Sequence, residues 1–285
     1  MFPKEIVHAN HTYKIQDKFY TLINRLGFGA YGSVWTSTTQ NGDYAAVKVF
    51  DFNRSRNRLS ATQRLNSFRT EIKVAERMLN ETEHIVTMYG YEYIPKYGVA
   101  FIVMELADES FSDRVKNLHL KSRLSLSGDY ISADDRQNIW IQLVNIVLTL
   151  HRYGFIHRDI KPANLLFFGS NLKVIDFGIA IDEYDRYNRY QGTGGTRPYS
   201  APECFWSGFP ITSKADIWSI GAILYLITYG IGPLYESSQP PMGSRPTRSN
   251  LVQDVLHHCL QRNSYHRADH RWISEHPLTR SVLKF

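Results

Sequence analysis

The 285-residue chain is 43% hydrophobic and 21% charged, an ordinary balance for a globular protein with a sizeable core. Its net charge of +6 is dispersed without a polybasic tail, which argues against nucleic acid as a direct partner. The two cysteines, Cys204 and Cys259, lie far apart and form no CxxC pair, which argues against a disulfide framework and fits a reducing compartment, cytoplasmic or nuclear.

MFPKEIVHANHTYK, at the N-terminus, has no apolar signal core, and Phe2 stands where N-myristoylation would require glycine. FYTLINRL, SVWTSTT and YAAVKVF read as strands between residues 20 and 50, punctuated by Gly27, Gly29, Gly32 and the hairpin signal Asn41-Gly42. From about Ser60 to Leu79 the period is helical, with Phe68, Ile72, Ala75 and Leu79 on one stripe. HIVTMYGYEY and GVAFIVMEL return to strand character. After Leu106 helix dominates, and the change marks two lobes, with a cleft between lobes as the default ligand site. Ser132 followed by Asp135 resembles a capping box, and Gly154 reads as the C′ residue that ends this helix. LKVID, 172 to 176, is a short buried strand. IWSIGAILYLITYGI, 217 to 231, is the most apolar stretch, but it is shorter than the about 20 residues a bilayer span needs. It reads as part of a buried helix, 214 to 230, so no membrane partner is expected. The last helices are placed at about 250 to 261 and 269 to 282. Segments 53 to 60, 121 to 132 and 237 to 249 read as exposed, mobile loops.

Chemistry concentrates in a few stretches. GFGAYGSV, residues 27 to 34, carries GxGxxG, whose glycines let a backbone press against phosphates without Cβ interference. A dinucleotide fold would continue into a helix, whereas here another strand follows, which suits a phosphate-covering lid. In YAAVKVF, Ala46 and Lys48 share a strand face opposite Val47. A small side chain beside an ammonium leaves room for a flat base next to phosphates. Glu71, on the following helix, is the natural partner of Lys48, and Glu76 is its rival. GFIHRDIKPANLL, 154 to 166, packs His157, Arg158, Asp159, Lys161 and Asn164 into one short segment. IDFG follows, placing Asp176 at the end of an apolar strand, where an unpaired carboxylate would be costly. A Mg²⁺ ion would relieve that cost, and Asn164 offers a second oxygen.

In order, GxGxxGxV, AVK, HRDIKPAN, DFG and APE (Ala201, Pro202, Glu203) resemble the eukaryotic protein kinases of Ser/Thr type over about residues 18 to 280. The resemblance implies an α+β fold, the two-lobed kinase architecture. A small β-rich N-lobe with one helix covers about 18–105, and a larger, mainly helical C-lobe covers about 106–285. Together, 1–285 is then a single kinase domain that uses ATP and Mg²⁺ on protein substrates. It implies that Gly27, Gly29 and Gly32 cover the phosphates, and that Val34 and Ala46 flank adenine. Met104 falls at the gatekeeper position, followed by Glu105, Leu106 and Ala107 as hinge. Lys48 holds phosphates and pairs with Glu71. Asp159 orients the acceptor hydroxyl and takes its proton, Lys161 neutralises the transferring phosphoryl, and Asn164 and Asp176 hold Mg²⁺. Thr196 bridges Asp159 and Lys161, Asp216 supports the catalytic-loop backbone, and Glu203 pairs with Arg267.

The same resemblance implies regulation by phosphorylation between Asp176 and Glu203. The expected phosphate acceptor is Thr193, with Thr196 as the alternative, docking on an unpaired Arg158 guanidinium. Tyr184, Tyr187 and Tyr190 read as packing residues or secondary sites. Within the kinases, KPANLLFFGSNLKVIDFGIA, ADIWSIGAILYLITYG and LVQDVLHHCLQR resemble the monopolar spindle (TTK) kinases, which serve chromosome segregation in the cell cycle. The chain departs from that group in reading HRD rather than HSD, in a longer Lys48–Glu71 interval, and in a short Pro/Ser-rich stretch from Leu234 to Asn250. Two rivals are set against this reading. Zinc held by His257, His258, Cys259, His266 and His270 lacks any CxxC support. A pseudokinase scaffold would ordinarily have lost Lys48, Asp159 or Asp176, and all three stand. Ala75, where many kinases carry a larger apolar side chain, implies a loosely packed helix whose active state depends on a partner or on phosphorylation.

Overall fold

The computed structural model describes residues 7–29, 32–53, 60–122, 129–185, 190, 194–233 and 237–280. The chain divides into two compact units. The first comprises residues up to Asp108 together with Asp176–Gly178, and the second the remainder. Their boundary thus falls at Asp108/Glu109 rather than at 105/106. The return of 176–178 to the first unit has no signature in local composition.

The first unit is an antiparallel six-stranded sheet and one helix. Its strands are β1 (Thr12–Ile15), β2 (Lys18–Phe28), β3 (Gly32–Thr39), β4 (Tyr44–Asp51), β5 (Met88–Ile94) and β6 (Val99–Met104). Their order is β1-β2-β3-β4-β6-β5. Strand alternation separates two faces. Trp35, Val47, Val49, Phe101 and Val103 bury one face with Ile15 and Leu22, while Phe50, Ala100 and Ile102 bury the other against Phe68 of α1 (Ala61–Arg77). β1 is absent from the sequence-based expectation, because TYKI is too short and too polar to stand out from its flanks.

Helix α1 opens on a capping box, Ser60 with Gln63, which the sequence reading passed over. Phe68 of the expected stripe is buried and Ile72 packs beside it, but the buried face also takes in Arg64, Ser67, Glu71, Val74 and Met78. Leu79 lies beyond the helix end and is 71% exposed. Arg64, Ser67 and Glu71 join this face although their polarity gives a hydrophobicity count no reason to place them there. Ala75 borders a groove of about 170 Å³ with Met78, Ile85 and Met88.

The second unit contains β7 (Glu109–Ser110), α2 (Phe111–Ser122), α3 (Ala133–Arg152), β8 (Phe155–Ile156), β9 (Leu165–Phe168), β10 (Asn171–Val174) and β11 (Ile181–Asp182). Four helices follow: α4 (Lys214–Tyr229), α5 (Asn250–Cys259), α6 (His270–Glu275) and α7 (Pro277–Arg280). The short strands form a β10-β9-β7 sheet and a β11-β8 pair. Ser132 caps α3 by accepting from the Asp135 N–H, but the reciprocal contact runs between the two side chains, 2.5 Å apart, so the box is half formed. α4 is buried from Ala215 to Thr228 except at Leu226, as its near-uniform apolarity requires.

Three expectations about this unit are corrected. β10 ends at Val174, before Asp176. The final helix is split, because Pro277 holds His276 extended (ψ 139°) and starts a new turn. Segment 237–249 lacks regular structure, yet it is not simply exposed. Thr247 is buried and donates to Asp129 (2.9 Å), and the Gln239 carbonyl accepts from Tyr225 (2.8 Å). Most of the other two expected loops, 54–59 and 123–128, lies outside the described residues.

Candidate active site

Two constellations hold the chemistry-bearing residues, one in each unit. In the first, β4 pairs with β3 and β6 so that Val34 lies opposite Lys48, and Ala46 opposite Met104. Directly paired antiparallel residues share a face, so these four lie on the face that α1 covers. Ala46 is buried, and Val34, Met104, Glu105, Leu106 and Ala107 are half-buried. The β6 exit is pinned by Glu105, whose N–H donates to the Thr87 carbonyl (3.0 Å) and whose carboxylate accepts from the Thr87 N–H (2.6 Å).

Lys48 Nζ reaches Glu71 Oε1 at 2.6 Å and Asp176 Oδ1 at 3.0 Å. Burial alone would push the Lys48 ammonium down, but the Asp176 and Glu71 carboxylates outweigh it and hold its pKa above the ordinary lysine value. Glu76 instead accepts from the Tyr91 hydroxyl at 3.2 Å, which decides between the two rival glutamates. Asp176 sits in the left-handed region (φ 65°), a strained geometry for a non-glycine residue that clusters at functional sites.

The glycine-rich turn joins β2 to β3. Gly27 pairs with Val34, and the Gly29 N–H donates to the Gly32 carbonyl (2.8 Å), while residues 30 and 31 lie outside the described residues. The three glycines are not equivalent. A Cβ on Gly32 would overlap the Val49 carbonyl, so β3 and β4 approach there only without a side chain. Gly27 and Gly29 face open space.

In the second unit the loop after β8 is organised from beneath by Asp216, fully buried in the first turn of α4. Its carboxylate accepts the backbone N–H groups of His157 and Arg158, both at 2.9 Å, and lies 3.1 Å from His151 Nε2. Arg158 is held at φ 69°, so Asp216 stabilises a strained turn. His157 accepts the Asp159 N–H at Nδ1 (3.3 Å), which assigns its proton to Nε2, the donor to the Ile175 carbonyl (3.1 Å). His151 was missed by the sequence reading, since a lone histidine in a helix's last turn carries no distinguishing local signal.

Asp159 is surrounded by donors. Lys161 Nζ and Asn164 Nδ2 reach its Oδ2 at 2.7 and 3.1 Å, and Thr196 Oγ1 donates to Oδ1 at 2.9 Å. Lys161 Nζ also donates to Thr196 Oγ1 at 2.7 Å, closing a three-membered ring of contacts. Asn164 Nδ2 is committed to Asp159, which leaves its Oδ1 as a potential ligand in the second unit, and the first unit carries the Asp176 carboxylate. These are the hard oxygen donors that Mg²⁺ takes.

Further out, Arg267 binds Glu203 through two parallel bonds of 2.6 and 3.0 Å. The expectation of an unpaired Arg158 is corrected, because its Nε donates to the Ile179 carbonyl at 2.7 Å and its Nη2 contacts the same oxygen. Thr193 and Tyr187 lie outside the described residues, while Tyr184 and Tyr190 are exposed. Cys259, considered as a zinc ligand, is wholly buried against Gly221 of α4, and burial pushes its thiol up to about 12.

Asp216 makes a pH-dependent contribution. Burial raises its carboxyl pKa, but the hydrogen bond from His151 and the charges and backbone donors of the loop outweigh that, so the net shift is downward. A depressed folded-state pKa contributes stability above the unfolded carboxyl value, lost as pH falls through the folded one. Urea denaturation of the parent is therefore expected to lose stability below about pH 4 more steeply than that of Asp216→Asn. Parallel acid limbs would contradict this.

The chain matches the protein kinase domain over residues 20–279. It belongs to the protein kinase family. Dual specificity protein kinase TTK of Mus musculus is 26% identical over 94% of this chain and 32% of that protein, and Ttk of Danio rerio is 26% identical over 94% and 28%. Serine/threonine-protein kinase chk-2 of Caenorhabditis elegans is 29% identical over 87% of the chain and 49% of its own length. The chain thus spans about a third of the length of the TTK proteins it matches.

Proposed function

We propose that the chain transfers the γ-phosphoryl group of ATP to Ser/Thr hydroxyls of protein substrates. The observation that carries this is the Asp159–Lys161–Thr196 ring, an acceptor carboxylate with an ammonium and a hydroxyl all within 3 Å. Asp159 accepts the proton of the incoming hydroxyl as its oxygen forms a bond to the γ-phosphorus. The bond from that phosphorus to the bridging oxygen breaks, and ADP leaves with the electron pair. Lys161 faces the charge on the moving phosphoryl group, so its contribution is electrostatic.

Lys48, fixed by Glu71, binds the α- and β-phosphates, under a lid formed by Gly27, Gly29 and Gly32. Val34, Ala46 and Met104 border the adenine, and Glu105, Leu106 and Ala107 supply backbone groups to it. Asp176 and Asn164 would hold Mg²⁺, whose charge would offset that of the nucleotide phosphates. Nearly all of this is positioning and charge stabilisation, the two things phosphoryl transfer asks of a protein. Asp216, Glu203 and Arg267 are structural supports. Residues 1–285 act as one kinase domain, cytoplasmic or nuclear, with a cell-cycle role. A phosphate on Thr193, or less suitably on the already committed Thr196, would dock on Arg158 in exchange for the Ile179 carbonyl and order the segment.

The test is incubation with Mg-ATP and a degenerate peptide library, with phosphosites mapped on peptides and chain. Ser and Thr acceptors are expected, without strict dependence on Arg before the acceptor, because Ala163 stands where some basic-directed kinases carry Glu. Exclusive tyrosine transfer would contradict the reading. Absence of any transfer would return it to a binding module, although Lys48, Asp159 and Asp176 all being present argues against that.

A further inference from the structure

Ser67 lies one turn before Glu71 on the buried face of α1. It is 1% exposed, and its hydroxyl is buried without a hydrogen-bond partner among the described residues. An unsatisfied buried hydroxyl is unfavourable, so packing at this position must favour a side chain of that size. Gly178 supplies the reason. A Cβ built there would overlap Ser67 Oγ and stand 3.3 Å from both Ser67 Cβ and Glu71 Oε1. Gly178 is not among the glycines with positive φ, so its backbone would accept alanine. What crowds a side chain at 178 is the Ser67 hydroxyl, with Ser67 Cβ and Glu71 Oε1 close behind it at 3.3 Å.

We propose that Ser67 and Gly178 form a size-matched contact that sets how closely α1 approaches segment 176–178. That separation lets Glu71 and Asp176, carried on two different elements, meet the same Lys48 ammonium at 2.6 and 3.0 Å. A helix displaced by the width of a methyl group would carry the Glu71 carboxylate away from Lys48. Ser67 is therefore a positioning residue acting through Glu71, and the inference rests on the nucleotide role proposed above for Lys48, Glu71 and Asp176.

The size match is tested by transfer kinetics with Mg-ATP and a Ser/Thr peptide. Gly178→Ala is expected to lower kcat/KM for ATP by about 10²-fold, the scale of a roughly 1 Å misplacement. KM for the peptide stays constant, which general loosening of the fold would not produce. Adding Ser67→Ala to Gly178→Ala removes the overlapping hydroxyl, leaves only contacts of 3.3 Å, and restores most of the lost activity. Ser67→Val, which enlarges the contact from the helix side, reproduces the loss and carries the test should Gly178→Ala fail to fold. An active parent whose double variant is as slow as Gly178→Ala overturns the size match, as does a fully active Gly178→Ala or Ser67→Val. An inactive parent would instead overturn the nucleotide reading beneath it.

Discussion

Asp159→Asn is expected to abolish nearly all phosphoryl transfer, by on the order of 10²–10⁴-fold in single-turnover rate. Both carboxylate oxygens are in use, Oδ1 with Thr196 and Oδ2 with Lys161 and Asn164. An asparagine has the same shape but cannot accept a proton at neutral pH, and its amide hydrogens would face donors that already point inward. The substitution thus removes the base and disorders the ring that orients it. Folding should survive, because backbone support comes from Asp216 beneath the loop rather than from the Asp159 side chain. Turnover near that of the parent would place the chemistry elsewhere.

Glu203→Ala is expected to cost about 3–5 kcal/mol of stability, the penalty of leaving one partner of a buried ion pair uncompensated. Arg267 has a fully buried side chain, with Nη1 also donating to the Lys214 carbonyl (2.9 Å), Nε to the Gln261 carbonyl (3.0 Å), and its guanidinium lying over Trp218. Those contacts hold the cation in place once its counter-charge is gone, so it cannot escape to water cheaply. Domain stabilities are about 5–15 kcal/mol in total, so a large fraction would be lost. Replacing both partners, as in Glu203→Leu with Arg267→Met, should recover much of the loss. Urea denaturation of the three proteins measures this. A Glu203→Ala variant within about 0.5 kcal/mol of the parent, as for a surface change, would show that the pair contributes little.

The sequence made legible whatever has a rigid spacing. Asp159, Lys161 and Asn164 lie within one short segment, so their meeting follows from local chain geometry, whereas Thr196, 37 residues beyond Asp159, was expected beside them only from the kinase resemblance. Lys48 and Ala46 on a common face followed from strand alternation. The full buried face of α1 did not, because Arg64, Ser67 and Glu71 are polar residues held there by the Asp51 carbonyl, by packing on Gly178 and by Lys48 rather than by hydrophobicity. The Arg158 contact with Ile179 was equally hidden, since it depends on a left-handed backbone at Arg158 that no side chain there advertises. Pro277 splits the last helix, since a proline cannot continue the turn before it.

The separation of nucleotide binding from transfer is the most direct measure of whether the two constellations carry these roles. Titration of Mg-ATP into the parent, Asp159→Asn and Asp176→Asn by calorimetry, alongside transfer assays, provides it. Asp159→Asn is predicted to bind Mg-ATP like the parent while failing to transfer, and Asp176→Asn to lose Mg-dependent affinity and transfer together. Undiminished transfer in both variants, or loss of Mg-ATP binding in Asp159→Asn but not in Asp176→Asn, would contradict the assignment.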